Sequence, residues 1–207
     1  MSPGAIEETL KKSTAALEER GIPFLLGGGL ACWAWGGPES SHDLDLMVKR
    51  DDAERALRSL VDSGMRVERP PEQWLLKAWD GDVLVDLIFD PMGMPITDQV
   101  IQRGEDISVA GCWVPVMALE DVLVTKLFAL NEHELDYEDL VQIARSLREK
   151  VDWDEVRTRS ERSPFARGFF HLVREMGILP APTAREHGKV EVRVVDGADA
   201  RSVSEQG

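Results

Sequence analysis

Ile6, Leu10, Ser13 and Leu17 recur at helical spacing and Gly21 follows as a stop, which predicts an amphipathic helix over residues 4–20. Pro23 opens the short apolar run Phe24–Leu26, a strand that Gly27, Gly28 and Gly29 break. Leu30–Trp35 can then form a short helix before the turn-forming GGPESS. HDLDLMV alternates over Asp43–Val48, with Leu44, Leu46 and Val48 on one face and Asp43 and Asp45 on the other, the mark of a half-buried strand. Asp51 and Glu54 match a capping box ahead of Ala53, Leu57, Leu60 and Val61, and Gly64 closes this second helix. LLKAWDGDVLVDLIF reads as two strands about an Asp80-Gly81 turn, with Asp86 in the second arm, and ISVAGCWVPV reads as a further short hairpin. Helices are predicted over 118–131, 136–149, 152–160 and 164–176, the last with Ser163 at its cap, Pro164 in its first turn and Gly177 at its end.

This order, a helix, then mixed strands and helices, then helices alone, predicts an α+β fold: a mixed β-sheet flanked by helices, followed by a C-terminal helical part. The corresponding division is an α+β domain over 1–116, a helical domain over 117–179 and a flexible tail over 180–207, within which KVEVRVV could pair as a strand. A chain of 207 residues buries about 70% of its unfolded surface, enough for a core without disulfides. Internal repeats are absent.

Charge narrows the function classes. Lys and Arg number 24 against 38 Asp and Glu, a net charge of −14, which opposes the broad basic face of sequence-independent nucleic-acid binders. A local basic groove stays open, because Arg145, Arg148, Lys150, Arg157, Arg159, Arg162 and Arg167 gather in the C-terminal half, although such charges are more often solvated helix faces. The longest apolar runs fall short of the ~20 residues a membrane span requires. Glu7 and Glu8 stand where a secretory signal would be basic, so the expected compartment is the cytoplasm. Cys32 and Cys112 lack metal or redox spacing and read as free buried thiols.

Two carboxylates two residues apart on a strand project from one face, roughly 6.5 to 7 Å apart, a spacing that can share divalent metal ions. Asp86, flanked by Val83, Leu84, Val85, Leu87, Ile88 and Phe89, is costly to bury as a charge without a partner and fits the same site. An Asp-x-Asp strand alone is equally the pattern of a solvated strand. The glycine turn sharpens it, since Gly28 and Gly29 let backbone amides approach an anion at a helix start. Lys126 sits inside the apolar stripe Leu119, Val122, Leu123, Leu127 and Leu130, so its ammonium either snorkels to water or meets an anion such as a nucleotide phosphate. Asp136 and Asp139 suit a helix cap and first turn. His42, His133, Trp33 and Trp35 are weaker candidates with ordinary turn, loop and core readings.

GGLACWAWGGPESSHDLDLMV resembles the signature of the DNA polymerase β-like nucleotidyltransferase superfamily, a glycine pair followed by an Asp-x-Asp strand, and LVDLI resembles its third-carboxylate strand. LEDVLVTKLFAL followed by DYEDL is similar to the small bacterial branch that includes AbiEii and MenT-type toxins. The resemblance covers roughly residues 22 to 150. It implies that Gly28 and Gly29 hold a triphosphate, that Asp43, Asp45 and Asp86 are catalytic and bind two magnesium ions, with manganese as a substitute, and that Asp86 lies near the acceptor hydroxyl. Gly29 replaces a frequent Ser, which leaves Ser41 as the hydroxyl candidate, and Glu39 replaces a frequent basic residue. The implied activity is metal-dependent transfer of a nucleoside monophosphate from a nucleoside triphosphate to a hydroxyl, with release of pyrophosphate. The acceptor is a transfer RNA, a protein or a small molecule. The rival is a nucleotidyltransferase-like antitoxin or non-catalytic partner in a toxin–antitoxin pair.

Overall fold

The computed structural model describes residues 3–39 and 43–180; Ser41, His42 and the KVEVRVV stretch lie outside the described residues. Seven strands, Phe24–Leu26 (β1), Leu44–Val48 (β2), Arg66–Glu68 (β3), Leu75–Asp80 (β4), Val83–Ile88 (β5), Glu105–Val109 (β6) and Cys112–Val116 (β7), form one sheet ordered β3-β4-β5-β2-β1-β7-β6. The pairs β2/β5 and β1/β7 are parallel and the others antiparallel, so the sheet is mixed, as the pattern predicts. Helices Pro3–Glu19 (α1), Gly28–Ala34 (α2), Arg50–Asp62 (α3) and Asp98–Gln102 (α4) are interleaved with the strands. Leu119–Ala129 (α5), Tyr137–Ser146 (α6), Trp153–Ser160 (α7) and Pro164–Glu175 (α8) follow them.

Alternation along β2 decides which side chains reach the site. Leu44, Leu46 and Val48 are fully buried, while Asp45 projects from the other face beside Met47. α1 and α3 pack together and against the sheet, burying Leu10, Leu17, Ala53, Leu57 and Leu60. Polar ties hold α1 to the end of β4: Lys12 Nζ donates to Asp80 Oδ1 at 2.6 Å and Thr9 Oγ1 to Asp80 Oδ2 at 3.1 Å.

Three local expectations shift. The glycines do not stand apart from the helix, because α2 already begins at Gly28 with Gly27 as its cap. α3 starts at Arg50 with Lys49 as its cap, so Asp51 falls in the first turn, and Glu54 receives Arg69 at 2.9 and 3.1 Å instead of closing a capping box. Asp80 pairs with Val83, which places the hairpin loop at Gly81-Asp82, one residue later than predicted, with Gly81 at φ +60°. The second hairpin turns at Ala110-Gly111, both left-handed, as a tight primed turn requires. β3 and α4 span three and five residues, too few for periodicity to reveal them.

The helical part shares its core with the sheet. Leu119, Val122, Leu123 and Leu127 of α5 belong to the same buried cluster as the strand residues, and α5 packs on α2. Trp35 Nε1 donates to Met117 O at 3.0 Å, tying the end of α2 to the chain entering α5. Asp136 and Ser163 cap α6 and α8 as expected, accepting from Asp139 and Ala166 amides, and Asp152 caps α7.

Candidate active site

β1 runs into the start of α2 beside the first half of β2. The Gly27 amide donates to Asp45 O at 2.9 Å, so the glycine turn is bonded to the strand that carries the carboxylates. Gly28 has φ +57°, and a Cβ added there would overlap Asp45 Oδ2. Glycine is required twice over: for the left-handed backbone and for room to seat a carboxylate against the main chain. A Cβ at Gly27 would likewise overlap the Met47 side chain.

Parallel pairing of β2 with β5 sets Asp45 directly opposite Asp86. The sheet therefore brings two of the three predicted carboxylates side by side on one face, with exposed Asp43 just ahead of β2. Burial pushes the Asp45 carboxyl up to about 7, with Asp86 and then Asp43 adding like-charge repulsion and Lys126 and Lys77 opposing it. Asp45 has no ion-pair partner among the described residues. Burial also raises the Asp86 carboxyl, against the pull of Lys77. Asp86 Oδ1 lies 3.4 Å from Lys77 Nζ, an ion-pair distance without hydrogen-bond geometry, so this buried oxygen keeps an unused lone pair.

Lys126 meets an anion within the chain. Its Nζ lies 3.0 Å from Asp139 Oδ2 at the rim of a cavity of about 170 Å³ lined also by Ala129, Leu130, Glu134, Asp136 and Leu140. Burial works against the ammonium, yet Cys32, Asp139 and Asp45 hold its pKa above the ordinary lysine value. α5, which carries Lys126, packs on α2, the helix of Gly28 and Cys32, and the lysine's charge opposes the rise of the Asp45 and Cys32 pKa values. Asp139 thus does more than stabilise a helix start.

Other candidates fall outside this group. Trp35 is engaged in the core, Trp33 is 40% exposed on α2, and exposed His133 lies beside its neighbour Glu132. Lys77 and Asp121 are the residues the pattern did not single out. Asp121, buried in α5, receives Arg103 at 2.7 to 3.0 Å and also pairs with Arg159, a structural ion cluster.

A family model described as uncharacterised nucleotidyltransferase matches residues 5–176. The chain belongs to this family. Solved structures share its fold. The antibiotic-resistance factor ANT(2″)-Ia in solution is 18% identical with a TM-score of 0.60, covering 85% of this chain and 98% of that one. The same factor in complex with adenylyl-2″-tobramycin gives 18%, 0.57, 80% and 97%. JHP933 from Helicobacter pylori gives 16%, 0.50, 86% and 81%. At these identities the likeness is one of fold. No curated protein matches.

The carboxylates of Asp43, Asp45 and Asp86 offer hard oxygens, the chemistry that suits magnesium or manganese. The Asp86 oxygen that accepts no hydrogen bond and the Asp45 carboxyl that has no ion pair among the described residues would suit a divalent cation. Among the described residues no three acidic, histidine or cysteine side chains are gathered as a metal cage, and Asp86 faces Lys77. No helix among the described residues is long and apolar enough to cross a membrane.

Proposed function

We propose that the protein transfers a nucleoside monophosphate from a nucleoside triphosphate to the hydroxyl of a small-molecule acceptor, in a reaction that depends on divalent metal. The observation that carries this reading is the placement of Asp45 opposite Asp86 with the Asp45 carboxylate seated on Gly28, an arrangement that would set a cation beside a glycine turn suited to phosphate. Asp43, Asp45 and Asp86 would hold magnesium or manganese, which supplies neutralisation of phosphate charge and Lewis acidity. Gly28 and Gly29 offer main-chain amides to the triphosphate, and Lys126 exchanges Asp139 for a phosphate oxygen. Ser41 is the candidate for an additional hydroxyl contact. Asp86 orients the acceptor hydroxyl for in-line attack on the α-phosphorus. The O–P bond to the acceptor forms as the bond to pyrophosphate breaks, and the hydroxyl proton passes to Asp86 or to water. Positioning and charge complementarity supply most of the rate in such transfers.

The net charge of −14 disfavours an RNA acceptor and favours a neutral or cationic one. The tobramycin adduct bound to ANT(2″)-Ia supports a small-molecule acceptor on this fold. The test is incubation with each α-labelled triphosphate, magnesium and a cell extract, followed by separation of RNA, protein and small molecules. Label in the small-molecule fraction, absent with Asp45→Asn, is the expected result. Label in RNA or protein would reassign the acceptor, and no label in any fraction would remove the transferase reading.

A further inference from the structure

The register of the sheet draws four charged side chains into one line across four strands. Glu68 of β3 stands opposite Lys77 of β4, Lys77 opposite Asp86 of β5, and Asp86 opposite Asp45 of β2. Directly opposed residues share a face of the sheet, so these charges are neighbours. Lys77 is the one cation of the four. Its side chain is 22% exposed and that of Asp86 13%, which shields the pair from the solvent screening that weakens surface ion pairs.

The carboxylates are divided between two environments. Asp45 rests on Gly28 and has no ion-pair partner among the described residues, whereas Asp86 directs Oδ1 to Lys77 Nζ at 3.4 Å. The order β4-β5-β2 puts the ammonium on the side of Asp86 away from Asp45. The same arrangement explains why Asp43, Asp45 and Asp86 are not already drawn together. A cationic ammonium and a divalent ion attract the same carboxylate oxygens, and each weakens the hold of the other.

We propose that Lys77 is the resident counter-ion of Asp86: it engages the carboxylate when no divalent ion is bound and is displaced when Asp86 turns toward Asp43 and Asp45, so that it sets how tightly the site takes metal. This inference rests on the metal-dependent reading above. Lys77 acts through Asp86 and is a positioning residue. Its presence lowers the repulsion that two facing carboxylates impose on the metal-free protein, at the expense of metal affinity.

The experiment uses the full chain with Mn²⁺ alone as the probe, so that neither nucleotide nor acceptor enters. Lys77→Met keeps most of the stem and removes the charge, while Lys77→Arg keeps the charge. Calorimetric titration should show Lys77→Met binding Mn²⁺ roughly threefold tighter or more, and Lys77→Arg within about twofold of the parent. Without divalent ions at pH 8, Lys77→Met should melt below the parent, and saturating Mn²⁺ should close that gap. Were Lys77→Met not to fold, Lys77→Gln carries the same expectation. Unchanged or weaker Mn²⁺ binding in the charge-removing variant, beside a parent that binds Mn²⁺, overturns the counter-ion role and leaves the transferase reading standing. A parent that binds no Mn²⁺ removes the metal reading and the counter-ion role together.

Discussion

Asp45 carries an electrostatic burden that Lys126 and Lys77 relieve only in part. Its folded carboxyl is raised to about 7 by burial and by Asp86 and Asp43, far above an unfolded aspartate. The folded state therefore holds a proton that the unfolded chain releases, so the stabilisation is present below about pH 4 and is lost as pH rises through 7. The difference is on the order of 4 kcal/mol for such a shift before solvent relaxation reduces it. Asp45→Asn should match the parent in melting temperature near pH 4 and exceed it by several degrees at pH 8, measured without divalent ions. Parallel melting curves across that range would remove the burial argument. Gly28 makes the complementary prediction, since its φ of +57° and the overlap of any Cβ with Asp45 Oδ2 leave no room for alanine. Gly28→Ala should reduce metal-dependent nucleotide affinity more than tenfold by shifting the carboxylate, with helix content by circular dichroism little changed. The alternation of LDLMV and the glycine run made Asp45 and Gly28 visible in the sequence. That the two are in contact was not, because it depends on how β1 and β2 pair.

Lys77 stayed hidden for a reason of register between elements. A loop at Asp80-Gly81 sets Lys77 opposite Leu84, whereas the observed loop at Gly81-Asp82 sets it opposite Asp86. Shifting a turn by one residue changes every cross-strand partner. Tertiary structure hid the partner of Lys126 in the same way: the apolar stripe demanded an anion for it, but only the fold brings Asp139 of α6 to that place. Nucleotide binding should separate the two functions of this pair. Lys126→Met should weaken it by roughly tenfold or more, the loss of one charge-assisted contact. Asp139→Asn frees the ammonium and should leave nucleotide affinity equal or higher. Calorimetry with a non-hydrolysable triphosphate and magnesium measures both, and equal affinity of Lys126→Met and the parent would confine Lys126 to an ion pair between helices.

Whether the chain behaves as one unit or two is decided by contacts that cross residue 116. Strands followed by helices suggested a boundary there, yet α5 contributes to the same buried cluster as the sheet. Asp121 adds a polar link: its buried carboxylate joins Arg103, at the end of α4 before the boundary, to Arg159 of α7 beyond it. A carboxylate only 3% exposed and paired with two guanidiniums cannot be neutralised cheaply, because the arginines stay charged and lose their counter-charge. Asp121→Asn should destabilise the protein by roughly 1 to 3 kcal/mol, since the carboxylate is buried but both guanidiniums keep contact with water. The form of the transition carries the argument. If the sheet and the helical part unfold together, scanning calorimetry should give one peak in the parent, with calorimetric and van't Hoff enthalpies equal, and Asp121→Asn should move that whole peak down. Two resolved peaks, of which Asp121→Asn shifts only one, would instead support the boundary at 116 and make the helical part a separately folding domain.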